Sequence, residues 1–397
     1  VEKHLVFNNI AVVGAGAMGT GIAQVVSQSG AKVYLYDISH ENTLSAKRKL
    51  EQTFEKLVNK KKFNTDEAKS ILDRIVPVEK LSQTVDVGLV IEAVSENLEI
   101  KTKLFKSLEK TFNESTIFAT NTSSLSIGSL AKHIKDPKRF IGLHFFNPAP
   151  IMPLVEVVSS LATDEKLAPK CKKWLLEIGK VPVLSKDSPG FIVNRVARSF
   201  YGEAMNIYEE GLADPQTIDW AMTSIGKFRM GPFMLTDFIG QDVNYAVSES
   251  VWKQFYHEPR FRPNRCQKEL VDLGWLGRKT GRGFYNYKNG EAQVSKPKED
   301  LAMGEYILNR ILATIINEAF SALSSGVCSR EDLEISMVRG VNYPMGIIEW
   351  AEKLGPKNVL KLLQGFFQRT GDMRYRPVPL LQEWAESGGA PQIKLTL

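Results

Sequence analysis

Six residues, Gly14-Ala15-Gly16-Ala17-Met18-Gly19, constrain this chain more than any others. They follow the apolar run Ile10-Ala11-Val12-Val13 directly and open a stretch with Ile22, Ala23, Val25 and Val26 at helical spacing. A short β-branched run reads as a buried strand, and glycines packed into the turn before a helix dictate a tight strand–turn–helix unit. Gly14 serves the turn, Gly16 lets the backbone approach a pyrophosphate, and Gly19 permits close packing of the helix. The amino end of that helix favours phosphate charge.

Glycine turns also arise for steric reasons alone, so the loop needs support from elsewhere. A second run, Val33-Tyr34-Leu35-Tyr36, ends in Asp37, 18 residues after Gly19. An acid there would hydrogen-bond the adenosine ribose of a dinucleotide. Its charge would repel a 2′-phosphate, and Ile38-Ser39-His40 offers no arginine to receive one. NAD is therefore expected over NADP.

Short apolar runs continue at Leu89-Val90-Ile91, Ile117-Phe118-Ala119 and Phe140-Ile141-Gly142-Leu143, with helical stretches between them. This alternation predicts a parallel, doubly wound sheet. Val155-Glu156-Val157-Val158 and Val181-Pro182-Val183-Leu184 read as further strands, the second at an edge because of its proline. After Lys186-Asp187-Ser188-Pro189-Gly190 the texture turns helical, and a polar stretch from Lys288 to Asp300 reads as a linker.

Beyond that stretch the helical region repeats. Asn194-Arg195 recurs as Asn309-Arg310, Glu203-Ala204 as Glu318-Ala319, Gly211 as Gly326, Met230-Gly231 as Met345-Gly346 and Gly240 as Gly355, always 115 residues further on. The expected architecture is an α/β Rossmann-type doubly wound domain (1–186) followed by two all-α domains (187–290 and 301–397) related by internal duplication. Each copy must bury its apolar face, and the sister copy is the nearest surface. The chain is then either a monomer, acting as its own pseudo-dimer, or a homo-oligomer.

A chain of 397 residues is long enough for two or three domains, and 24% charged against 43% hydrophobic residues excludes wholesale disorder. The net charge of +6 is too small and dispersed for nucleic acid, though it suits a polyanionic small ligand. Cys171, Cys266 and Cys328 lack metal-type spacing, and no metal is expected. No apolar run has membrane-spanning length and Val1-Glu2-Lys3-His4 has no signal-type segment, so no membrane partner and a cytoplasmic location are expected.

Glu156 lies among Leu154, Val155, Val157 and Val158, where an unpaired carboxylate would be costly. His144 precedes it across a loop with Pro148, Pro150 and Pro153 that could turn the chain back. A His–Glu pair would fix the imidazole tautomer and suit it to remove a hydroxyl proton. The alternative is a satisfied core histidine with Glu156 facing solvent. Asn121-Thr122-Ser123-Ser124 follows a strand and would lie at the carboxyl edge of the sheet, either presenting Ser123 to a reacting oxygen or merely capping a helix near Leu125.

With these residues in view the chain resembles the L-3-hydroxyacyl-coenzyme A dehydrogenases, including the 3-hydroxybutyryl-coenzyme A dehydrogenases. The resemblance spans residues 8 to about 290 and rests on the glycine loop, Glu92-Ala93-Val94 with Glu96-Asn97, Asn121 to Leu125, Gly142-Leu143-His144-Phe145-Phe146-Asn147-Pro148, Lys186 to Arg195, Met230-Gly231-Pro232-Phe233 and Gly277-Arg278-Lys279-Thr280-Gly281. It implies His144 as base, Glu156 as its orienting partner, Ser123 as donor to the substrate oxygen and Asn194 as a further polar contact. Glu96, Lys101, Ser123 and Lys279 would join Gly14, Gly16, Met18, Gly19 and Asp37 around NAD. Asn147 would help position substrate, or simply form a turn before its proline.

The acyl-coenzyme A substrate has phosphates to be met. Thr53 and Lys60 match the family's contact positions, within a basic group of Lys47, Arg48, Lys49, Lys56, Lys60, Lys61 and Lys62. The bland reading of such a run is a solvated helix face. Arg229 stands where the family commonly has proline, which puts the neighbouring loop in doubt, and Asn309 reads as a relic. The tail resembles two-copy members used in aromatic and fatty acid breakdown.

Short-chain 3-hydroxyacyl-coenzyme A oxidation by NAD is the expected activity. A sugar-acid dehydrogenase on the same fold and a crystallin-like protein that only binds NAD are the rivals. The basic residues argue against the first, and the retained His144, Glu156, Ser123 and Asn194 against the second.

Overall fold

The computed structural model describes residues 5–387, which divide by contact density into two compact units on either side of the Ser188–Pro189 bond. In the first unit strands and helices alternate as β1 (Asn9–Val13), α1 (Ala17–Gln28), β2 (Lys32–Tyr36), α2 (His40–Asn59), α3 (Thr65–Asp73), β3 (Ile75–Val78), β4 (Leu89–Glu92), α4 (Leu98–Thr111), β5 (Ile117–Thr120), α5 (Ile127–Ala131), β6 (Phe140–Phe145), β7 (Leu154–Ser159), α6 (Leu167–Glu177) and β8 (Val181–Lys186). The eight strands form one sheet in the order β3-β2-β1-β4-β5-β6-β7-β8. Because β1 pairs with both β2 and β4, the winding reverses there, and a crevice opens at the carboxyl ends of those strands.

Ile10, Val12, Leu89, Ile91, Phe118 and Ile141 are wholly buried, as expected of parallel strands covered on both faces. Among the described residues of this sheet the one antiparallel pairing is β6 with β7. Their connection carries the three prolines and is too short for a crossover helix, so the chain has to turn back. The sheet is therefore mixed at this point rather than parallel throughout. Both edge strands contain proline, Pro77 in β3 and Pro182 in β8, which costs nothing where one side of the ladder is unpaired.

The second unit is helical: α7 (Val193–Val196), α8 (Arg198–Glu209), α9 (Pro215–Trp220) extended by a π turn over Ala221–Ile225, α10 (Pro232–Ile239), α11 (Gln241–Gln254) and α12 (Arg265–Asp272). A hairpin of β9 (Asn286–Lys288) and β10 (Glu291–Gln293) opens the stretch read as linker. Asn289 and Gly290, both at positive φ, make its two-residue turn. Then come α13 (Leu301–Ser324), α14 (Arg330–Gly340), α15 (Ile347–Leu354), α16 (Pro356–Thr370) and α17 (Pro379–Ser387).

Duplication reaches down to individual hydrogen bonds. Helix α15 begins and ends 115 residues after α10. Asp219 accepts the N–H groups of Phe233 and Met234 at the start of α10, both at 2.9 Å, and Glu334 accepts that of Ile348 at the start of α15 at 2.7 Å. A Cβ on Gly231 or Gly346 would strike the respective carboxylate, which is why the glycine recurs in both copies. Burial, with the charge of Asp237, pushes the Asp219 carboxyl up to about 7 against the bonds from Phe233, Met234 and Tyr285.

The copies exchange equivalent ion pairs. Arg195 Nε donates to Glu318 at 2.6 Å, and Arg310 Nε donates to Glu203 at 2.5 Å. Arg310 is the counterpart of Arg195 and Glu318 that of Glu203, each 115 positions further on, so the pairing has the reciprocity of a twofold interface. All four side chains are 4% exposed or less, between α13 and the helices α7 and α8 packed against it.

Candidate active site

The glycine loop is shaped by what surrounds it. Gly14 turns at φ 110°, its N–H donates to Tyr36 O at 2.7 Å, and a Cβ on it would come within 2.5 Å of the Ala93 carbonyl oxygen. A Cβ on Gly19 would collide with the Gly14 carbonyl, whereas one on Gly16 would meet nothing within 4 Å. The two outer glycines thus answer to the protein, and the middle one faces open space. Gly16 is also the N-cap of α1 and gives its first turn no side-chain oxygen.

A cavity of about 870 Å³ lies here, with Gly14, Gly16, Asp37, Ile38, Asn42 and Val94 among its lining. Asp37 is locked in place, Oδ2 by Ala15 N at 2.8 Å and Oδ1 by Ser39 N at 3.1 Å and Asn42 Nδ2 at 3.0 Å. Met18 packs against the sheet core. A cradle with an acid fixed at one end and backbone open at Gly16 fits a dinucleotide's ribose and pyrophosphate.

Three strands along the sheet from β1, His144 and Glu156 are direct cross-strand partners in the β6·β7 register. Opposed residues of an antiparallel pair point to the same face. His144 Nδ1 accordingly lies 2.7 Å from Glu156 Oε2, with Glu156 wholly buried and His144 6% exposed. The carboxylate accepts from Nδ1–H, which makes Nε2 the basic nitrogen.

Ser123 stands on the loop after β5. Asn121 Oδ1 accepts the Phe145 N–H at 2.8 Å, tying that loop to the strand that carries His144. Glu96 receives Ser123 N at 2.9 Å and Ser123 Oγ at 3.3 Å, together with Thr122 Oγ1 at 2.6 Å. Burial opposes charge on Glu96, but the Lys101 ammonium and the hydrogen bonds from Thr122, Ser123 and Ser124 hold its carboxyl below the usual range. Helix α5 is capped by Ser126, which accepts Ser129 N at 3.2 Å, so capping does not occupy Ser123.

Comparison with known proteins decides the family. A model described as the NAD binding domain of 3-hydroxyacyl-CoA dehydrogenase matches residues 9–188, and one described as its C-terminal domain matches twice, over 190–287 and 306–394. The chain belongs to the 3-hydroxyacyl-CoA dehydrogenase family. A 3-hydroxyadipyl-CoA dehydrogenase of Escherichia coli (strain K12) is 37% identical, the match covering 96% of this chain and 98% of that protein. The mitochondrial hydroxyacyl-coenzyme A dehydrogenase of Sus scrofa is 39% identical over 72% of this chain and 93% of its own. Among solved structures, a 3-hydroxybutyryl-CoA dehydrogenase from Escherichia coli K12 superimposes with a TM-score of 0.91 at 36% identity, covering 96% of this chain and 99% of that one. NAD is the cofactor of this family member.

In this 3-hydroxyacyl-CoA dehydrogenase the remaining expected residues fall on several elements, some in each unit. Lys49, Thr53 and Lys56 form one exposed stripe of α2, continued by its exposed C-cap Lys60 and lying about a quarter-turn round the helix from the buried Thr43, Ala46, Leu50 and Phe54. The basic group is not a single surface, because Lys47 donates to Ile75 O at 3.1 Å and Arg48 is paired with Glu41. Lys101 is 1% exposed, its ammonium 2.5 Å from Glu92 and 3.4 Å from Glu96. In the helical unit Asn194 lies in α7, its carbonyl accepting Arg198 Nε at 3.1 Å, and Lys279 pairs with Asp242 at 2.6 Å.

Asn147 is exposed on the loop between β6 and β7. That loop is pinned by Lys180, whose buried ammonium donates to Ala149 O at 2.5 Å and Met152 O at 2.8 Å. Nothing in the spacing of the sequence pointed to Lys180, to Asn42 or to Asn121 as supports of the site. Burial lowers the Lys180 ammonium from the usual 10.5 to about 8. Between pH 8 and 10.5 the unfolded chain therefore holds a proton that the folded chain has released, and this group makes stability rise with pH. Urea unfolding at pH 8 and 10 should show wild type gaining on Lys180→Met as pH rises. An unchanging difference would mean that Lys180 titrates normally.

Proposed function

We propose that the chain oxidises the 3-hydroxyl of short (S)-3-hydroxyacyl-CoA thioesters, such as 3-hydroxybutyryl-CoA, to the 3-ketone and catalyses the reverse reduction. The observation that carries this reading is the buried His144–Glu156 pair on one face of the β6·β7 hairpin. NAD, when bound, supplies the hydride acceptor for the hydrogen on C3. His144 Nε2 takes the hydroxyl proton as the C3–O bond becomes a carbonyl, and Glu156 stabilises the imidazolium that results. The proton then leaves to solvent, and in the reverse direction the imidazolium returns it.

Ser123 Oγ donates to the reacting oxygen, an interaction that favours the transition state when the donor is held in place beforehand. Glu96 does that holding through the Ser123 backbone N–H, while the Oγ–H, which meets Glu96 at 3.3 Å, turns to the reacting oxygen when substrate arrives. Gly14, Gly16, Gly19 and Asp37 hold the dinucleotide, and Met18 backs the loop. The α2 stripe of Lys49, Lys56 and Lys60 presents cations to coenzyme A phosphate, with Thr53 among them, its hydroxyl proton donated to Lys49 O at 2.8 Å. Asn147 and Asn194 as substrate contacts, and Lys101 and Lys279 as cofactor contacts, rest on family resemblance. No helix among the described residues is long and apolar enough to cross a membrane, and we place the enzyme in the cytoplasm. Its helical copies already cover one another's faces, so a monomer is sufficient.

NADH formation at 340 nm should be seen with C4, C6 and dicarboxylic C6 3-hydroxyacyl-CoA substrates, with the highest kcat/KM at C4. Oxidation of the free hydroxy acids without coenzyme A would overturn the reading in favour of a sugar-acid type dehydrogenase. A higher kcat/KM for the dicarboxylic thioester would replace the short-chain assignment.

A further inference from the structure

Beneath Glu96 the polar side chains close into a ring. Glu92, the last residue of β4, has its carboxylate 2.5 Å from Lys101 Nζ on one side and accepts Thr120 Oγ1 at 2.6 Å on the other. Lys101 continues to Glu96 at 3.4 Å, and Glu96 accepts Thr122 Oγ1 at 2.6 Å. Thr122 N then donates to Thr120 Oγ1 at 3.3 Å, returning the chain of contacts to its start. Glu92 also accepts Val94 N at 2.7 Å, so both loops at this edge, the one after β4 and the one after β5, hang on one carboxylate.

Glu92 and Thr120 are wholly buried, and Lys101 and Thr122 are 1% exposed. A buried ion pair is a poor way to gain stability, because desolvation of both charges consumes most of the attraction. A fully satisfied polar ring does, however, fix geometry more tightly than apolar packing. The geometry fixed here is that of Glu96, and through it Ser123.

We propose that Glu92 is a positioning residue for the reaction: it anchors Lys101, which holds Glu96, which orients Ser123. This rests on the reading of Ser123 as donor to the reacting oxygen. Without the Glu92 charge, the Lys101 ammonium has Glu96 as its remaining carboxylate partner in the ring and draws it away from the Ser123 loop.

Glu92→Gln should lower kcat about tenfold and leave KM for the acyl-CoA within about twofold, since small misplacements of a reacting contact act mainly on turnover. In a Ser123→Ala background the same substitution should have no further effect on kcat, although the loss of thermal stability should be as large as in wild type. Thr120→Val interrupts the ring without touching a charge and should lower kcat about threefold. If Glu92→Gln fails to fold, the Thr120→Val and Ser123→Ala cycle decides by the same non-additivity. Losses of kcat that multiply in either cycle, or a destabilised Glu92→Gln enzyme with wild-type kcat, would overturn the proposal while leaving Ser123 its role. Wild-type kcat in Ser123→Ala alone would remove the Ser123 reading, and the proposal with it.

Discussion

Replacing His144 with glutamine is expected to lower kcat for 3-hydroxyacyl-CoA oxidation by about a thousandfold, while NAD affinity in a binding titration stays within about twofold. Glutamine retains much of the volume and can still donate to Glu156. It cannot take up a proton as the alcohol becomes a ketone. Since His144 lies on β6, whereas the glycine loop and Asp37 follow β1 and β2, the cofactor cradle should not register the change. Turnover within about tenfold of wild type would take the proton-accepting role from His144.

The second large effect is on stability. Arg310→Met should destabilise the helical unit by about 3–5 kcal/mol, as removal of one member of a buried pair generally does. Arg310 is 2% exposed and bonds Glu203, both oxygens of Glu210, and Tyr375. Its loss leaves Glu203 almost as deeply buried, with Tyr375 at 2.6 Å and Arg374 at 3.9 Å. In a calorimetric scan this should appear as a fall of about 10 °C in the transition of that unit. Arg310→Met combined with Glu203→Gln should recover part of the loss, since the stranded charge goes too. A shift below about 2 °C in the single variant would show that the reciprocal pairs do not hold the copies together.

The parts of the fold that were legible in the sequence share one property, that their signal is local. A β-branched run between glycine turns states a buried strand, and Asp37 at the end of such a run states what the loop beside it can hold. Strand β3 lacked that signal, with four residues and a proline in the third place. The direction of β7 could be inferred from the prolines before it, but the face shared by His144 and Glu156 could not. Their separation of 12 residues allows either face, and only the register of the hairpin settles it.

Duplication was visible as matched letters, whereas the crossing of Arg195 to Glu318 and of Arg310 to Glu203 depends on how α13 packs against α7 and α8. Glu92 was visible inside a motif without its task, because its partners lie 9 and 28 positions away on other elements. The basic group around α2 was the reverse case. Adjacent in sequence, its members point in different directions once the helix forms, and the exposed stripe keeps only every third or fourth residue. The Asn289-Gly290 turn was a readable hairpin signal inside a stretch that its charge made look like linker.

The most direct test of the account is a kinetic cycle on the two strands of the hairpin. kcat for NAD-dependent oxidation of (S)-3-hydroxybutyryl-CoA should be measured for wild type, His144→Gln, Glu156→Gln and the double variant. If imidazole and carboxylate act as one proton-accepting unit, Glu156→Gln loses much of kcat alone and almost nothing further once His144 is gone. If the two losses multiply in the double variant, the pair is not a unit and the mechanism built on it is wrong.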